Sequence, residues 1–439
     1  MQSRRPVYSV KNGVFKVILA VAFLSAMFAI SHTPNAIADG TLNLSELIGE
    51  AMKNSPELLV SESKVLASGY RISQAKALPD PMFMFGYQNE GFRQLTIGTE
   101  PNAMGMFSLS QMFLFPGKRS LKGEMAAQDT ESLKAMHDAI RLRIVATVKQ
   151  LYYDLFIAYK NIDILKDRVD LFSRIEDAAT ARYSSGMGSQ QEVIMAQTEK
   201  YMLLEKEEMQ KQKIQATQGM LNSVIGREIN SPLGRPVKPA AASFGLNMEE
   251  LLQTAKSNSP EIRSREKMVQ AAEAKVKMAQ KEYYPDVTLA GGYFPKTNGL
   301  LDMWSVTAAV NIPIFYKTKQ DQGLLEAKAN LQGAKRELAG TEYMLSSSIR
   351  ENYSMVQAAD KLMTIYKESL IPKTYQDFQL ALSGYATGKI EAITTISRLK
   401  ALLDTEMLYW GQYVEREKAI ARLEAITGNT DSLSGVKEK

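Results

Sequence analysis

The strongest constraint on this fold is that the chain is written twice. Leu42-Asn43-Leu44-Ser45-Glu46-Leu47 returns as Leu246-Asn247-Met248-Glu249-Glu250-Leu251, and Asn54-Ser55-Pro56-Glu57 returns unchanged as Asn258-Ser259-Pro260-Glu261. Both pairs stand 204 residues apart (246 against 42, 258 against 54). Farther on, Arg182-Tyr183-Ser184-Ser185-Gly186 answers Gly384-Tyr385-Ala386-Thr387-Gly388, and 221–226 answers 423–428, both at an offset of 202 (385 against 183, 423 against 221). Repeated anchors in one order at nearly one offset imply two copies of one structural unit. The first copy covers 39–228 and the second 246–428. The linker between them, 229–245, carries Pro232, Gly234, Pro236 and Pro239, which no helix interior tolerates. A polar tail, 429–439, follows.

Each half reads as helix, helix, strand, strand, long helix, long helix. The repeated Asn-Ser-Pro-Glu opens the second helix, with Ser55 and Ser259 at the N-cap and the prolines at the first helical position. From Leu121 to Arg182 there is no proline, and after Gly123 no glycine, so one helix on the order of 90 Å is expected at about 1.5 Å per residue. Its counterpart in the second half is interrupted by Pro372. From Ile393 the apolar spacing Ile393, Ile396, Leu403, Met407, Trp410, Val414 averages close to the period of helices coiled about each other, with Lys400 breaking the stripe.

The strand segments are short and two-faced. Trp304, Val306, Ala308, Val310 and Ile312 alternate with Ser305, Thr307, Ala309 and Asn311. One apolar face and one small, polar face are what a strand between lipid and a water-filled lumen requires, and its length fits the ~9–11 residues of a tilted span. Val287, Leu289 and Tyr293 alternate with Thr288, Ala290 and Gly292, and Phe107 and Leu109 with Ser108 and Ser110. In 82–87 Phe83, Phe85 and Tyr87 share one face, but Met82 and Met84 on the other are hardly polar. A small soluble sheet packed on helices has the same pattern. Four strands cannot close a barrel, since the smallest bacterial ones have about 8. Edge groups cannot be left open in lipid. If these strands span a membrane, several chains share one barrel.

Composition removes most chemistry. Arg4, Arg5, Lys11 and Lys16 precede an apolar run from Val17 to Ile30 and then Ala36-Ile37-Ala38, the marks of an export signal over residues 1–38. The chain has 53 Lys+Arg and 48 Asp+Glu; without the leader's four basic residues the balance is 49 against 48, and nothing points to nucleic acid. With no cysteine there is no disulfide, thiol nucleophile, Cys-based metal site or N-terminal lipid anchor. His137 is the one histidine beyond the leader, too few for a metal centre or a Ser-His-Asp relay. Gly186-Met187-Gly188 follows no strand and precedes no Gly-Lys-Ser/Thr, so it is no phosphate loop. No catalytic constellation and no cofactor site are expected. The 23 methionines leave two readings open. Thioethers suit soft metal ions, and Met82, Met84, Met104, Met106 and Met112 gather on the first two strands; methionine is also a common filler.

Taken together, these features resemble the TolC-type outer-membrane efflux family over about residues 40–428. The carriers are Leu42-x-Leu44-x-Glu46-Leu47, Ser-Pro-Glu preceded by Ala51 or Ala255 in each half, and Leu109-Ser110-Gln111-Met112-Phe113-Leu114-Phe115-Pro116-Gly117-Lys118, matched by Val310-Asn311-Ile312-Pro313-Ile314-Phe315 with Gln111 falling on Asn311. The resemblance implies a mainly α fold with a membrane β-barrel portion: a homotrimer whose twelve-stranded barrel in the outer membrane continues as a periplasmic α-helical barrel. It implies a passive exit duct, with a periplasmic adaptor and an inner-membrane pump of the RND type as partners. The Phe-Pro-Gly-Lys turn resembles the heavy-metal branch. Adaptor-docking tips map onto Ser185, Gly186 and Met187 and onto Thr387, Gly388 and Lys389. Many relatives ring the closed end with paired aspartates; Thr394 and Ser397 stand at those positions here, and Glu192 and Glu391 are the nearby carboxylates for a pore constriction. A protein-secretion duct of the type I kind shares this fold, and a periplasmic coiled-coil scaffold is the reading without a membrane.

Overall fold

The computed structural model describes residues 40–239 and 244–428. The expected export signal, the tail and part of the linker lie outside them. The first half runs β1 (Thr41–Leu42), α1 (Leu44–Asn54), α2 (Pro56–Lys76), β2 (Met82–Gln88), β3 (Met104–Phe113), α3 (Lys118–Ser184) and α4 (Gln190–Ile225). After β4 (Arg235–Pro236) the second half runs α5 (Met248–Asn258), α6 (Pro260–Lys281), β5 (Val287–Phe294), β6 (Met303–Val310), α7 (Gln320–Ile365), α8 (Ile371–Ala386) and α9 (Ala392–Thr427). The plan read from the duplication is present in both halves. The linker also pins itself to the start of the first half, because β4 pairs in parallel with β1.

The repeated motifs turn out to be one packing contact made twice. Gly226 and Gly428 cap α4 and α9 at φ 78° and 73°, where glycine is strained least. A Cβ on Gly226 would stand 2.4 Å from the Asn54 carbonyl oxygen, and one on Gly428 2.6 Å from that of Asn258. In each half the end of the last helix thus rests on the Asn-Ser-Pro corner between the first two. Leu47 and Ala51 of α1 bury against Val148, Tyr152 and Leu221, and Leu251 and Ala255 of α5 against Ile349, Val356 and Leu423. Asn43 and Asn247 cap these short helices, Asn247 in a capping box with Glu250. Ser55 and Ser259 occupy the N-cap positions of α2 and α6 but make no capping bond through their side chains.

The 67-residue α3 is about 100 Å long at ~1.5 Å per residue. Against it lie α2 and α6 near one end and α4 and α9 toward the other. Pro372 does not break the second half's helix. Residues Tyr366–Leu370 form a π turn, and the Ile371 N–H reaches back to the Tyr366 carbonyl. One extra residue in the turn makes room for the proline ring, and the helix continues as α8. The stripe on α9 is broader than a coiled-coil seam: Leu399 and Leu402 are buried with Ile396 and Leu403, whereas Ile393 is exposed. Lys400 leaves the stripe to meet Glu199 on α4 at 2.9 Å. Halfway along, Tyr153 and Phe156 of α3 pack edge-on against Trp410 and Tyr413 of α9, joining the two repeats.

The four strands form one antiparallel sheet in the order β2-β3-β5-β6. The sheet crosses the repeat boundary at β3 and β5, with Phe107 opposite Tyr293 and Phe113 opposite Val287. Among the described residues both outer strands, β2 and β6, have no neighbour on one side.

Candidate functional site

Cross-strand partners in an antiparallel sheet point to the same side, so the register assigns every strand residue to a face. Phe83, Phe85, Phe107, Leu109, Leu289, Tyr293, Trp304 and Val306 share one face. Ser108, Ser110, Thr288, Ala290, Gly292, Ser305 and Thr307 share the other. The apolar face is open to the surroundings: Phe85 is 76% and Trp304 78% exposed. Along β3 and β5 the small, polar positions are the more shielded of the two sets, which is the mark of a sheet curled with that face on the inside. An exposed outer face of aromatic and aliphatic side chains, an inner face that mixes small, polar and methionine side chains, and two edges unpaired among the described residues make a segment of barrel wall and not a soluble sheet buried on helices. Among the described residues no helix is long and apolar enough to cross a membrane.

A clasp fixes the wall to the helices. Gly117 turns the chain at φ 93° and delivers Lys118 to the junction. This lysine is 1% exposed. It donates to the Asp286 carboxylate at 2.9 Å and the Tyr284 carbonyl at 3.0 Å, and stands 3.6 Å from Glu282. Asp286 also accepts from the Phe115 N–H at 2.7 Å, and Phe115 stacks on Tyr284 with ring centroids 4.4 Å apart. Gln111 and Asn311, matched in the sequence, do matching work. Gln111 donates to the Pro79 carbonyl at 2.7 Å, and Asn311 accepts from the Asp286 N–H at 2.6 Å, so each holds the Pro-Asp peptide that opens the preceding strand.

At the far end of the long helices stand the two hairpin tips. Gly186 and Gly388 both sit at φ 73°. The Met187 N–H reaches the Arg182 carbonyl at 2.9 Å and the Lys389 N–H that of Gly384 at 2.8 Å, the Schellman closure in both copies. Ser185, Gly186, Met187, Thr387, Gly388 and Lys389 are all exposed. The tips are not equivalent, however. Tyr183 is 49% exposed, while its counterpart Tyr385 is buried. Arg182, standing where the second half has Gly384, lies over the Tyr385 ring at 5.2 Å. Its guanidinium also donates to the Met187 carbonyl at 3.0 Å. The Tyr385 hydroxyl donates to Glu192 at 3.0 Å. Burial, with the Glu192 carboxylate second, pushes that hydroxyl up to about 12, so it keeps its proton and its bond to Glu192. Of the four residues expected at a constriction, Glu192 is half-buried in this network, Thr394 is half-buried, and Glu391 and Ser397 are exposed. Sequence reasoning missed Arg182 and Lys118. The signal for both lay in the differences between the halves, arginine against Gly384 and lysine against Thr318.

The sequence profile of outer membrane efflux proteins matches residues 47–227 and 251–429, one match to each half. This chain belongs to that family. Among its relatives, the cobalt-zinc-cadmium resistance protein CzcC of Cupriavidus metallidurans is 23% identical over 93% of this chain and 98% of its own. The outer-membrane protein VceC of Vibrio cholerae superposes with a TM-score of 0.75 at 19% identity, over 88% of this chain and 96% of that one. The channel CusC gives 0.76 at 16% identity, over 92% and 96%. The outer membrane efflux protein fold, β-barrel wall joined to α-barrel staves, is therefore the fold of this chain, and its place is the outer membrane. It serves there as an efflux channel component.

Proposed function

We propose that three copies of this outer membrane efflux protein form the passive exit duct of a tripartite efflux system. Each copy supplies four strands to a twelve-stranded barrel, and the long helices form a hollow cylinder across the periplasm. The open edges of β2 and β6 carry this reading. A lipid-facing sheet cannot leave those backbone groups unpaired, and a sister copy supplies the matching edge. The duct performs no chemistry and binds no cofactor; energy enters at an inner-membrane pump, taken to be of the RND type.

A periplasmic adaptor docks on the tips, at Ser185, Gly186 and Met187 and at Thr387, Gly388 and Lys389. Glu391, Thr394 and Ser397 at the start of α9, with Glu192 at the start of α4, narrow the closed end. Carboxylates repeated around a threefold axis favour cations by focusing the field. The reading is tested by reconstituting the purified mature protein in a planar bilayer. Discrete conductance steps are expected. A protein that inserts but stays silent, or that fractionates with the soluble periplasm, would overturn the duct.

A further inference from the structure

The register puts six methionines on the inner face of the sheet, Met303 opposite Phe294 and five others together on β2 and β3. Met82 and Met84 stand opposite Ser110 and Ser108, Met106 opposite Gly86, Met104 opposite Gln88, and Met112 opposite Thr288. These five are contiguous. Met112 is the diagonal neighbour of Met82; Met84 follows Met82 on the same face of β2; Met106 is the diagonal neighbour of Met84; and Met104 follows Met106 on β3. Diagonal cross-strand neighbours are ~7–8 Å apart, within reach of long side chains. The ladder runs the length of the ten-residue β3, about 30 Å at ~3.3 Å per residue, the thickness of a bilayer's hydrocarbon core.

These side chains are not filling a core. Met82 is 68% and Met84 53% exposed. The Met106 methyl lies across bare Gly86, 3.1 Å from where a Cβ would be. Nor do they face lipid, which the Phe, Leu, Trp and Val positions of the outer face do. A lumen wall is ordinarily polar, and Gln88, Ser108, Ser110, Thr288, Ser305 and Thr307 on the inner face obey that rule, with small Gly86, Ala290, Gly292 and Ala309 beside them. Bulky apolar groups depart from it in two places, the Phe294–Met303 pair at one end of β5 and β6 and the five methionines that follow one another along a single track on β2 and β3.

We propose that this track is a file of weak thioether sites for soft monovalent d10 cations, Cu(I) or Ag(I), in passage through the barrel. Neutral thioether sulfur holds soft ions and has little affinity for Zn(II) or Co(II), which prefer nitrogen and oxygen. Among the described residues no group of His, Asp and Glu is placed to hold a metal ion, so thioethers are the metal-binding chemistry on offer. Several weak sites in a row suit conduction, which needs binding favourable enough to enter and weak enough to leave.

The proposal rests on the duct reading, and the test separates the two. The full-length protein, wild type and the variant Met82→Leu/Met84→Leu/Met106→Leu/Met112→Leu, is purified in detergent. Leucine nearly conserves volume, so folding is retained; Met84→Leu/Met106→Leu is the milder variant if the fourfold one does not fold. Silver binding is measured by equilibrium dialysis in chloride-free buffer, with X-ray absorption at the silver edge. Potassium conductance is recorded in parallel, and the silver tolerance of a deletion strain carrying each form is scored. The expected result is fewer bound silver ions, loss of the corresponding Ag–S scattering and lower silver tolerance, with potassium conductance and zinc binding unchanged. Equal silver binding and equal tolerance in wild type and variant would overturn the thioether track while leaving the duct intact. A wild type without conductance would overturn the duct and the track with it.

Discussion

Lys118 shows how a single side chain can join two halves of a duplicated chain. Its ammonium is enclosed by groups from the second repeat, so removing it leaves Asp286 with an uncompensated charge. Lys118→Met should destabilise the protein by about 3–5 kcal/mol, the usual cost of breaking a buried pair, measured by denaturant or thermal unfolding; a loss under ~1 kcal/mol, typical of an exposed pair, would contradict the clasp. Gly226 is a single-residue constraint of another kind, within the first repeat. Its positive φ and the Asn54 carbonyl both oppose a Cβ, so Gly226→Ala should cost more than ~1 kcal/mol, whereas the same change at open Gly333 in α7 should be neutral or stabilising. Glu424 carries a pH dependence. Burial raises its carboxyl above 4.5, opposed by Lys149 and aided by Glu417. A proton is then held more tightly in the folded state than in the unfolded chain. Its favourable contribution is complete below pH 4.5 and is lost as the pH rises through the raised value. The thermal midpoint of Glu424→Gln, scanned from pH 4 upward, should lack that decline.

Elements were legible in the sequence wherever one physical signal acted alone. Three of the four sheet strands announced themselves by alternation, which was weaker in 82–87, and proline and glycine marked where strands begin and where the tips turn. Contacts between distant residues were not legible, because no local pattern encodes them. Arg182 on Tyr385 and Lys118 on Asp286 depend on helices and strands meeting across the repeat boundary. Pro372 misled for a related reason: its effect on a helix depends on whether the neighbouring packing absorbs an extra residue, and here α8 buries Phe378, Ala381 and Tyr385 beyond the π turn. At the tips, one guanidinium touches both hairpins, lying over the Tyr385 ring of one and donating to the Met187 carbonyl of the other. Arg182→Ala should raise amide hydrogen exchange in both 183–190 and 384–391, because the guanidinium bridges them. A rise confined to the first tip would show that the second holds itself.

At the scale of the whole molecule, the duct depends on how the sheet ends. Within one chain β2 and β6 are separated by two strands, so their backbones are about 14 Å apart at ~4.8 Å per strand. A disulfide needs Cα atoms within about 7 Å; it could therefore link β2 to β6 only between copies. The chain has no cysteine of its own, which makes the measurement free of background. Phe85→Cys on β2 is combined in turn with Trp304→Cys, Val306→Cys, Ala308→Cys or Val310→Cys on β6, and membranes are oxidised and run on a denaturing, non-reducing gel. At least one pair should give a covalent ladder that stops at three chains and collapses on reduction. Four pairs that all remain monomeric, or a ladder that stops at two or continues past three, would contradict a barrel closed by three copies.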